Sequence, residues 1–522
     1  MSIQRKLRKL ILHPVAFFRD SKVFNREMAI ASPKKAPAVT INKNDIFSQE
    51  MEKAIRQILK FSSSYPVNNL RWKDGQRLWP AFRFYLTLLA NYHIQNKAKT
   101  ARVFQPFPAY QWRKYYLDNK FSTPIDEYEC SEHYDFLVFS SLRSISWANE
   151  QEKIYDRLLD PLIEKLQSYG KTKKILIVTA SGELPDNLAI NPDFILFPAQ
   201  YKVNNAYNVD DFDPFANKVV STFKQYNINK GDIAYFLDIF IYLYEHYVKL
   251  LKKMKPKAIF FFPIDYSAPL IMAAHSLGIH AIDIQHGNMI GYYVQYNRWD
   301  EKSTQGYSLW PDAILTWSNR EKKHIKKIFK NHIDAVIFGY PWLETGIKNI
   351  QPLRKKSFNK FCANFKYIVI VSLSEHDRLP ITMDAIVRDS RAEDLNIGFI
   401  FKRNPKRAQT IIPKLPNVYT DDTITTSSFL NVAKYANLHM TEVSSCLYEA
   451  DYIGLNTILT GNSWEFHFKD LVEAERVYTA QSADDFYAIF EKAVSFCHYP
   501  RLIDNHSEEF DNFMQTLVQE KC

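Results

Sequence analysis

Two groups of polar side chains, one basic and one carrying hydroxyls, each follow an apolar run in the last third of the chain. The basic cluster Lys402-Arg-Asn-Pro-Lys-Arg407 directly follows the apolar run Ile397-Gly-Phe-Ile-Phe401. Ser444 and Ser445 lie where a later apolar run gives way to a helical pattern. Serine is favoured at helix starts, and the free N–H groups there attract anions. The pattern therefore predicts a site for a phosphorylated ligand, although simple helix capping would also account for the two serines. The predicted contacts are Lys402, Arg403, Ser444 and Ser445.

Carboxylates and a histidine near strand ends are candidates for the remaining chemistry. Glu449 lies five residues after Ser444 and suits hydrogen bonds to two ribose hydroxyls, or it is an ordinary surface glutamate of a helix. A general base requires a group that accepts a proton near neutral pH. His286 follows an apolar run and precedes a glycine, so either proton transfer or a structural role in the turn fits it. Asp265 also follows an apolar run, where helix capping is the alternative. The candidate bases are His286, Asp265 and Asp377.

Short apolar runs alternate with helical patterns from about Tyr134 to Phe496. This alternation predicts an α/β protein with two Rossmann-like, doubly wound parallel sheets that face a cleft, with ligands at the carboxyl ends of the strands. We expect a helix over 151–169 and a final helix over 484–496. The predicted domains are 1–44, a basic helix and linker; 45–133, a helical extension; 134–350, a first Rossmann-like domain; and 351–522, a second Rossmann-like domain that binds a nucleotide.

The charge and the cysteine pattern of the chain limit the kinds of partner and metal site that it could have. The chain has 522 residues, a net charge of +10 and five scattered cysteines without metal-ligand spacing. The cysteine pattern indicates a reducing compartment and no disulfide framework, and neither a structural metal nor a catalytic metal is expected. No nucleic-acid-binding motif is present, so the positive charge favours an anionic membrane surface as a partner. Neither of the glycine-rich phosphate-loop patterns occurs, so phosphate binding must use side chains and helix ends.

The N-terminal segment predicts a membrane contact. Four basic residues alternate with apolar ones, which fits a short helix that lies on anionic lipid, or one that packs on its own protein. We therefore expect a cytoplasmic protein that is peripheral on the inner face of the cytoplasmic membrane. The basic residues are Arg5, Lys6, Arg8 and Lys9.

Three patches resemble the GT-B glycosyltransferases that assemble bacterial capsule and lipopolysaccharide chains. Asp283-Ile-Gln-His-Gly-Asn-Met-Ile290 looks like the Gln-His-Gly turn of surface-polysaccharide transferases. Gly339-Tyr-Pro-Trp342 looks like the Gly-x-Pro element that ends the N-terminal domain, and the unit from Ser444 to Gly461 looks like the donor side. The resemblance implies transfer of a sugar from a nucleotide-sugar donor to an oligosaccharide or lipid-linked glycan acceptor. It assigns the acceptor to the domain over 134–350 and the nucleotide donor to the domain over 351–522.

The basic cluster that begins at Lys402 departs from the pattern of that family. Related transferases carry a His-Pro dipeptide where this chain has Arg403-Asn404-Pro405, and the Arg403 guanidinium could bind the donor phosphate in place of the histidine. Two alternatives to a glycosyltransferase remain at this point. One is a CDP-polyol phosphotransferase of teichoic-acid type, and the other is a non-catalytic scaffold that binds a glycan.

Overall fold

The structure is a computed structural model that describes residues 46–519 apart from internal gaps. The gaps are 73–75, 95–132, 142–144, 149–153, 178–187, 197–208, 292–295, 297–308, 331, 349–352, 374–378, 404–410, 422–423, 425–427, 496–501 and 505–506. The predicted basic helix and linker, residues 1–44, lie outside the described residues. Within the described part of the chain, no helix is long and apolar enough to span a membrane.

Eighteen strands lie in the described residues. In chain order they are β1 (Arg71–Trp72), β2 (Gln76–Arg77), β3 (Phe136–Ser141), β4 (Ile145–Ala148), β5 (Ile154–Asp156), β6 (Thr172–Ile177), β7 (Phe194–Leu196), β8 (Val209–Asp210), β9 (Ala258–Phe261), β10 (His280–Ile284), β11 (Ala313–Thr316), β12 (Asp334–Ile337), β13 (Tyr367–Ser372), β14 (Ile397–Lys402), β15 (Val418–Tyr419), β16 (Leu438–Thr441), β17 (Thr457–Thr460) and β18 (Tyr478–Ala480).

The helices of the described residues connect these strands. They are α1 (Ile46–Ser64), α2 (Trp79–Ile94), α3 (Asp160–Leu166), α4 (Phe212–Thr222), α5 (Lys230–Met254), α6 (Ile264–Ser276), α7 (Asn319–Phe329), α8 (Pro341–Lys348), α9 (Lys356–Asn364), α10 (Ile381–Arg388), α11 (Arg391–Asp394), α12 (Phe429–Ala433), α13 (Cys446–Tyr452), α14 (Trp464–His467), α15 (Lys469–Glu473), α16 (Ala483–Ser495) and α17 (Ser507–Gln519).

Two parallel sheets form the centre of the fold, as the alternating pattern predicts. The first has seven strands in the order β12-β11-β10-β9-β3-β6-β7, and the second has six in the order β15-β14-β13-β16-β17-β18. Strand β9 is buried at every position, because helices cover both faces of such a sheet. The order reverses beside β3 in the first sheet and beside β13 in the second. These switch points are where doubly wound sheets bind ligands. The architecture is therefore GT-B-like, with two Rossmann-like units.

An accessory layer packs beside the first sheet. Helices α1, α2, α4 and α5 share an aromatic core in which Phe82 and Phe215 meet edge to face, with ring centroids 5.0 Å apart. A small antiparallel sheet, β2-β1-β8, belongs to the same layer. The predicted helical extension thus contains helices α1 and α2 within its described part. The limits of the four domains given above stay a prediction.

The helix predicted over 151–169 is wrong in its first part. Strand β5 pairs with β4 as an antiparallel hairpin, and helix α3 begins only at Asp160. Pro161 lies in the first turn of α3, where its missing N–H group is tolerated, so the sequence marks a helix start at this point. The segment before it, which includes Arg157, is therefore a loop.

The last helix returns to the first sheet. The prediction ended the helices near residue 496, but α17 follows and packs on β12. Phe510 of α17 contacts Phe338, with ring centroids 4.7 Å apart. Side chains of both parallel sheets and of α17 belong to one apolar core. The units built on the two sheets therefore share one apolar core.

Candidate functional site

The Gln285-His286-Gly287 turn follows strand β10 and is fixed by a buried side chain. The side-chain Nε2 of Gln285 donates to the Gly287 backbone carbonyl at 2.9 Å, and its side-chain Oε1 accepts from the Trp317 backbone N–H at 2.6 Å. Gln285 is fully buried. His286 is half-buried, and its ring lies 6.0 Å from that of Phe262, centroid to centroid. The turn therefore presents His286 from a rigid strand end.

The structure places this turn beside the serine pair. A methyl group on Gly287 would lie 3.9 Å from Ser445 Oγ. Ser444 Oγ accepts from the Cys446 N–H at 3.2 Å, so this hydroxyl caps helix α13. The Ser445 hydroxyl forms no hydrogen bond with any described residue. The capping interpretation therefore fits Ser444, whereas Ser445 faces the other sheet.

A cluster of buried charge lies beside the serine pair. Arg157 Nη1 donates to Glu449 Oε1 at 3.2 Å, and the two side chains are 34% and 9% exposed. Burial raises the pKa of Glu449, and the positive charges of Arg157 and Lys402 oppose that shift. Burial lowers the pKa of Lys402 to about 8, against the nearby negative charge of Glu449. Tyr340, from the Gly339–Trp342 element, interacts electrostatically with Arg157 and Glu449.

Arg157 is the residue of this cluster that the sequence did not single out. Its loop is held by Asp156, whose Oδ1 accepts from the backbone N–H groups of Leu158 and Leu159, each at 3.1 Å. Ser140 Oγ donates to the other oxygen of Asp156 at 2.7 Å. An aspartate followed by two backbone donors is typical of a turn before a helix. That signal, with Pro161, could have placed Arg157 in a loop and not in the predicted helix, but no signal paired it with Glu449.

A second polar network joins the two sheets through Arg320, at the start of α7. Its guanidinium binds Asp470 with two hydrogen bonds of 2.5 and 2.7 Å. It also donates to Tyr448 Oη at 2.6 Å and to the His467 carbonyl at 3.0 Å. Asn288, next to Gly287, donates to the same carbonyl at 3.3 Å. The network therefore ties the His286 turn to helices α13 to α15 of the second sheet.

Two of the other predicted site residues lie shortly after strands. Arg403 follows β14 and is half-buried. Asp265 lies in the first turn of α6, and its side chain is not among the described atoms. Asp377 falls in the gap at 374–378. Among the described residues, no group of three His, Cys, Asp or Glu side chains could hold a metal ion. The structure thus brings together the regions of His286, Ser444, Ser445, Lys402 and Glu449.

One buried histidine of the second sheet does not belong to this site. His439 lies in β16 with no exposed surface, and its ring nitrogens contact Ser372 Oγ at 2.7 Å and Thr457 Oγ1 at 2.9 Å. Burial lowers its pKa to about 3. His439 is therefore neutral near pH 7 and bridges three neighbouring strands.

No protein-family model matches the chain, and no curated protein matches it by sequence. Among solved structures, it is similar to a UDP-N-acetylglucosamine 2-epimerase, with 12% identity over 75% of this chain and 98% of that chain and a TM-score of 0.48. It is also similar to the UDP-GlcNAc 2-epimerase from Neisseria meningitidis bound to UDP-GlcNAc, with 12% identity, 74% and 100% coverage and a TM-score of 0.47. The glycotransferase of kitacinnamycin has 12% identity, 74% and 95% coverage and a TM-score of 0.41. At this level of similarity, the two-sheet architecture rests on the strand orders given above.

Proposed function

We propose that the protein is a glycosyltransferase that uses a nucleotide-sugar donor. The observation that carries the proposal is the approach of Gly287 to Ser445, which sets a candidate base on one sheet against candidate phosphate ligands on the other. Glycosyl transfer needs both: a base for the acceptor hydroxyl, and positive or hydrogen-bonding groups for the leaving phosphate.

The side chains that stabilise the leaving phosphate are assigned to the second sheet. Lys402 is 6% exposed and protonated near pH 7, and Arg403 follows it at the strand end. A charge held in a site with little water acts more strongly on a developing phosphate charge than one in solvent. The Ser444 and Ser445 turn adds hydrogen-bond donors, and Glu449 takes the ribose hydroxyls. With two cations available, transfer needs no metal ion.

The acceptor is assigned to the first sheet. His286 takes the proton of the acceptor hydroxyl, and Asp265 and Asp377 are the alternative bases. The acceptor is an oligosaccharide or lipid-linked glycan of a growing bacterial surface polysaccharide, capsule or lipopolysaccharide, as the three sequence patches imply. The N-terminal segment holds the enzyme on the anionic inner face of the cytoplasmic membrane.

The donor is identified by a binding panel. CMP, CDP, UDP and GDP are compared by thermal shift, and the best nucleotide is then supplied as its sugar derivatives with an oligosaccharide acceptor, read by mass spectrometry. A ligand at a hundredfold excess over its dissociation constant stabilises the protein by about 2.7 kcal/mol. Transfer of polyol phosphate from a CDP-linked donor would replace the proposed reaction, and the absence of any nucleotide shift would favour a non-catalytic scaffold.

Arg403 is tested in the same assay. Arg403→Ala should weaken nucleotide binding by about 1.5–3 kcal/mol, because a charge-assisted hydrogen bond is lost. Arg388→Ala is the matched control, since Arg388 pairs with Asp384 on the surface of α10. Equal nucleotide affinity in the two variants would remove Arg403 from the donor site.

The membrane contact needs its own experiment. Deleting residues 1–20 should release the enzyme from vesicles that contain anionic lipid and leave transfer to a soluble acceptor intact. Each basic residue near such a surface contributes about 1 kcal/mol. Equal vesicle binding by the full-length and truncated proteins would contradict the membrane role.

A further inference from the structure

Arg157 has hydrogen-bonding capacity that the described residues do not use. Its Nη1 holds Glu449, whereas its Nε is buried and has no hydrogen-bond partner among the described residues. A guanidinium presents its donors as a planar fork that matches the oxygens of phosphate. The unused Nε–H lies on the other side of the guanidinium from Nη1, and that side is therefore left for a ligand.

The loop that carries Arg157 is rigid. Asp156 holds the backbone that follows Arg157, and Asp160 accepts from the Asp156 N–H at 2.8 Å. Lys174 donates to Asp160 Oδ1 at 2.5 Å, and both side chains are almost fully buried. The two aspartates that flank this loop, Asp156 and Asp160, are thus committed to this framework. A rigid support of this kind lowers the entropic cost of ordering a binding side chain.

The position of Arg157 in the fold is that of a ligand contact. Its loop follows β5, and Ser140 of β3 donates to Asp156 beside it, so Arg157 lies near the switch point of the first sheet. Glu449 lies in α13, which follows β16 at the switch point of the second sheet. The ion pair therefore joins the two places where doubly wound sheets bind ligands.

Positive charges from both sheets act on Glu449. Arg157 contacts it directly, and the charge of Lys402 acts on both residues. A buried carboxylate costs free energy unless cations compensate it. Two cations around one carboxylate form an environment that also suits a phosphate group, which carries more negative charge and more acceptor oxygens.

We propose that Arg157 is a phosphate-binding residue that the first sheet contributes, and that the Glu449 carboxylate occupies its site until a diphosphate displaces it. The assignment of that diphosphate to the donor rests on the proposed function. Displacement frees the Glu449 carboxylate for the ribose hydroxyls of the same nucleotide, so donor binding exchanges one ion pair for another.

Inorganic pyrophosphate is the probe, because it lacks a ribose and isolates the anion site. Isothermal titration of the full chain at low ionic strength should show that Arg157→Gln weakens pyrophosphate binding by about 10- to 100-fold, the loss of a charge-assisted contact. Glu449→Gln should bind pyrophosphate several-fold more tightly, because the competing carboxylate is gone. Arg388→Gln and Asp384→Asn make the same charge changes at a surface pair and should leave the affinity unchanged.

The double variant Arg157→Gln with Glu449→Gln tests whether Arg157 contacts the phosphate or only neutralises the charge of Glu449. If Arg157 contacts the phosphate, the double variant binds pyrophosphate about as weakly as Arg157→Gln alone. Wild-type affinity in the double variant would show that Arg157 only offsets the charge of Glu449, and would overturn the proposal.

Three further results would overturn it: wild-type affinity in Arg157→Gln, weaker binding in Glu449→Gln, or no pyrophosphate binding by the wild-type protein. Urea unfolding of each variant confirms that it is folded at the titration temperature. The expected affinities without any sugar transfer would refute the proposed function and leave the anion site intact.

Discussion

Tyr448 Oη donates a hydrogen bond of 2.7 Å to Glu321 Oε1, and this bond joins helix α13 of the second sheet to helix α7 of the first. Both residues are fully buried. Arg320 donates to the same hydroxyl and to the same carboxylate oxygen, so the three side chains form a closed triangle. Burial keeps the pKa of Tyr448 well above its ordinary value, so the hydroxyl remains a donor. The triangle therefore fixes α13, and with it Glu449, against the first sheet.

Tyr448→Phe should lower the free energy of unfolding by about 1–3 kcal/mol, because Glu321 loses a donor while it stays buried. Urea unfolding measures the loss, and a double-mutant cycle with Glu321→Gln should show coupling between the two positions. Tyr419→Phe is the control, since that hydroxyl pairs with Ser357 within the second sheet's own layer. Equal losses in the two phenylalanine variants would contradict a special role for the triangle.

Substitution by alanine should destabilise the fold at one glycine near His286 and be tolerated at another. Gly291 has φ +123° and a methyl group there would lie 2.0 Å from His467 Nδ1, so Gly291→Ala should destabilise by at least about 1–3 kcal/mol from backbone strain alone. Gly287→Ala makes only an ordinary contact, with Ser445 Oγ, and should be tolerated in the fold. Thermal unfolding compares them. A stable Gly291→Ala variant would mean that His467 and the turn separate readily.

His286→Ala should lower turnover by roughly 10²–10⁴-fold and leave nucleotide affinity nearly unchanged, because a general base acts on the acceptor and not on the donor. Steady-state kinetics and nucleotide titration measure the two effects. Asp265→Asn is the control, since it keeps shape and capping ability but loses basicity. Normal turnover in His286→Ala with an inactive Asp265→Asn would make Asp265 the base, and two active variants would point to Asp377.

Lys402 should make nucleotide binding depend on pH. Its pKa in the folded protein is about 8, so the ammonium group loses its charge as the pH rises above 8. Nucleotide affinity should fall over that range in the wild-type protein and should fall less in Lys402→Arg, whose charge persists. Titration calorimetry from pH 7 to 10 gives both curves. Parallel curves would show that Lys402 does not contact the nucleotide.

The same pKa has a consequence for stability. The unfolded chain binds the Lys402 proton up to about pH 10.5, whereas the folded chain releases it near pH 8. The unfolded state therefore holds more protons between these values, and the Lys402 contribution to the free energy of unfolding rises with pH across this window. Lys402→Met should flatten that rise in urea unfolding measured from pH 8 to 10.

Local patterns in the sequence were sufficient to predict the two-sheet class. The apolar runs at β13, β14, β16 and β17 are long enough to be buried on both faces, and they alternate with helical segments, which is a property of neighbouring residues. Lys402 ends β14, His286 lies two residues after β10, and Ser444 and Ser445 lie three and four residues after β16. Their positions at the carboxyl ends of strands could therefore be inferred without knowledge of distant contacts.

The tertiary structure alone decided which of these groups meet. Arg157 and Glu449 are 292 residues apart, and Tyr448 and Glu321 are 127 apart, so no local pattern relates them. Their contacts depend on how the two sheets pack and on the orientation of α13 between them. The helix predicted across Arg157 was wrong because a hairpin strand depends on a partner strand, whereas the proline that starts α3 acts locally. The sequence determined the elements and their chemistry, and packing between the sheets decided that Arg157 and Arg320 of the first hold Glu449 and Tyr448 of the second.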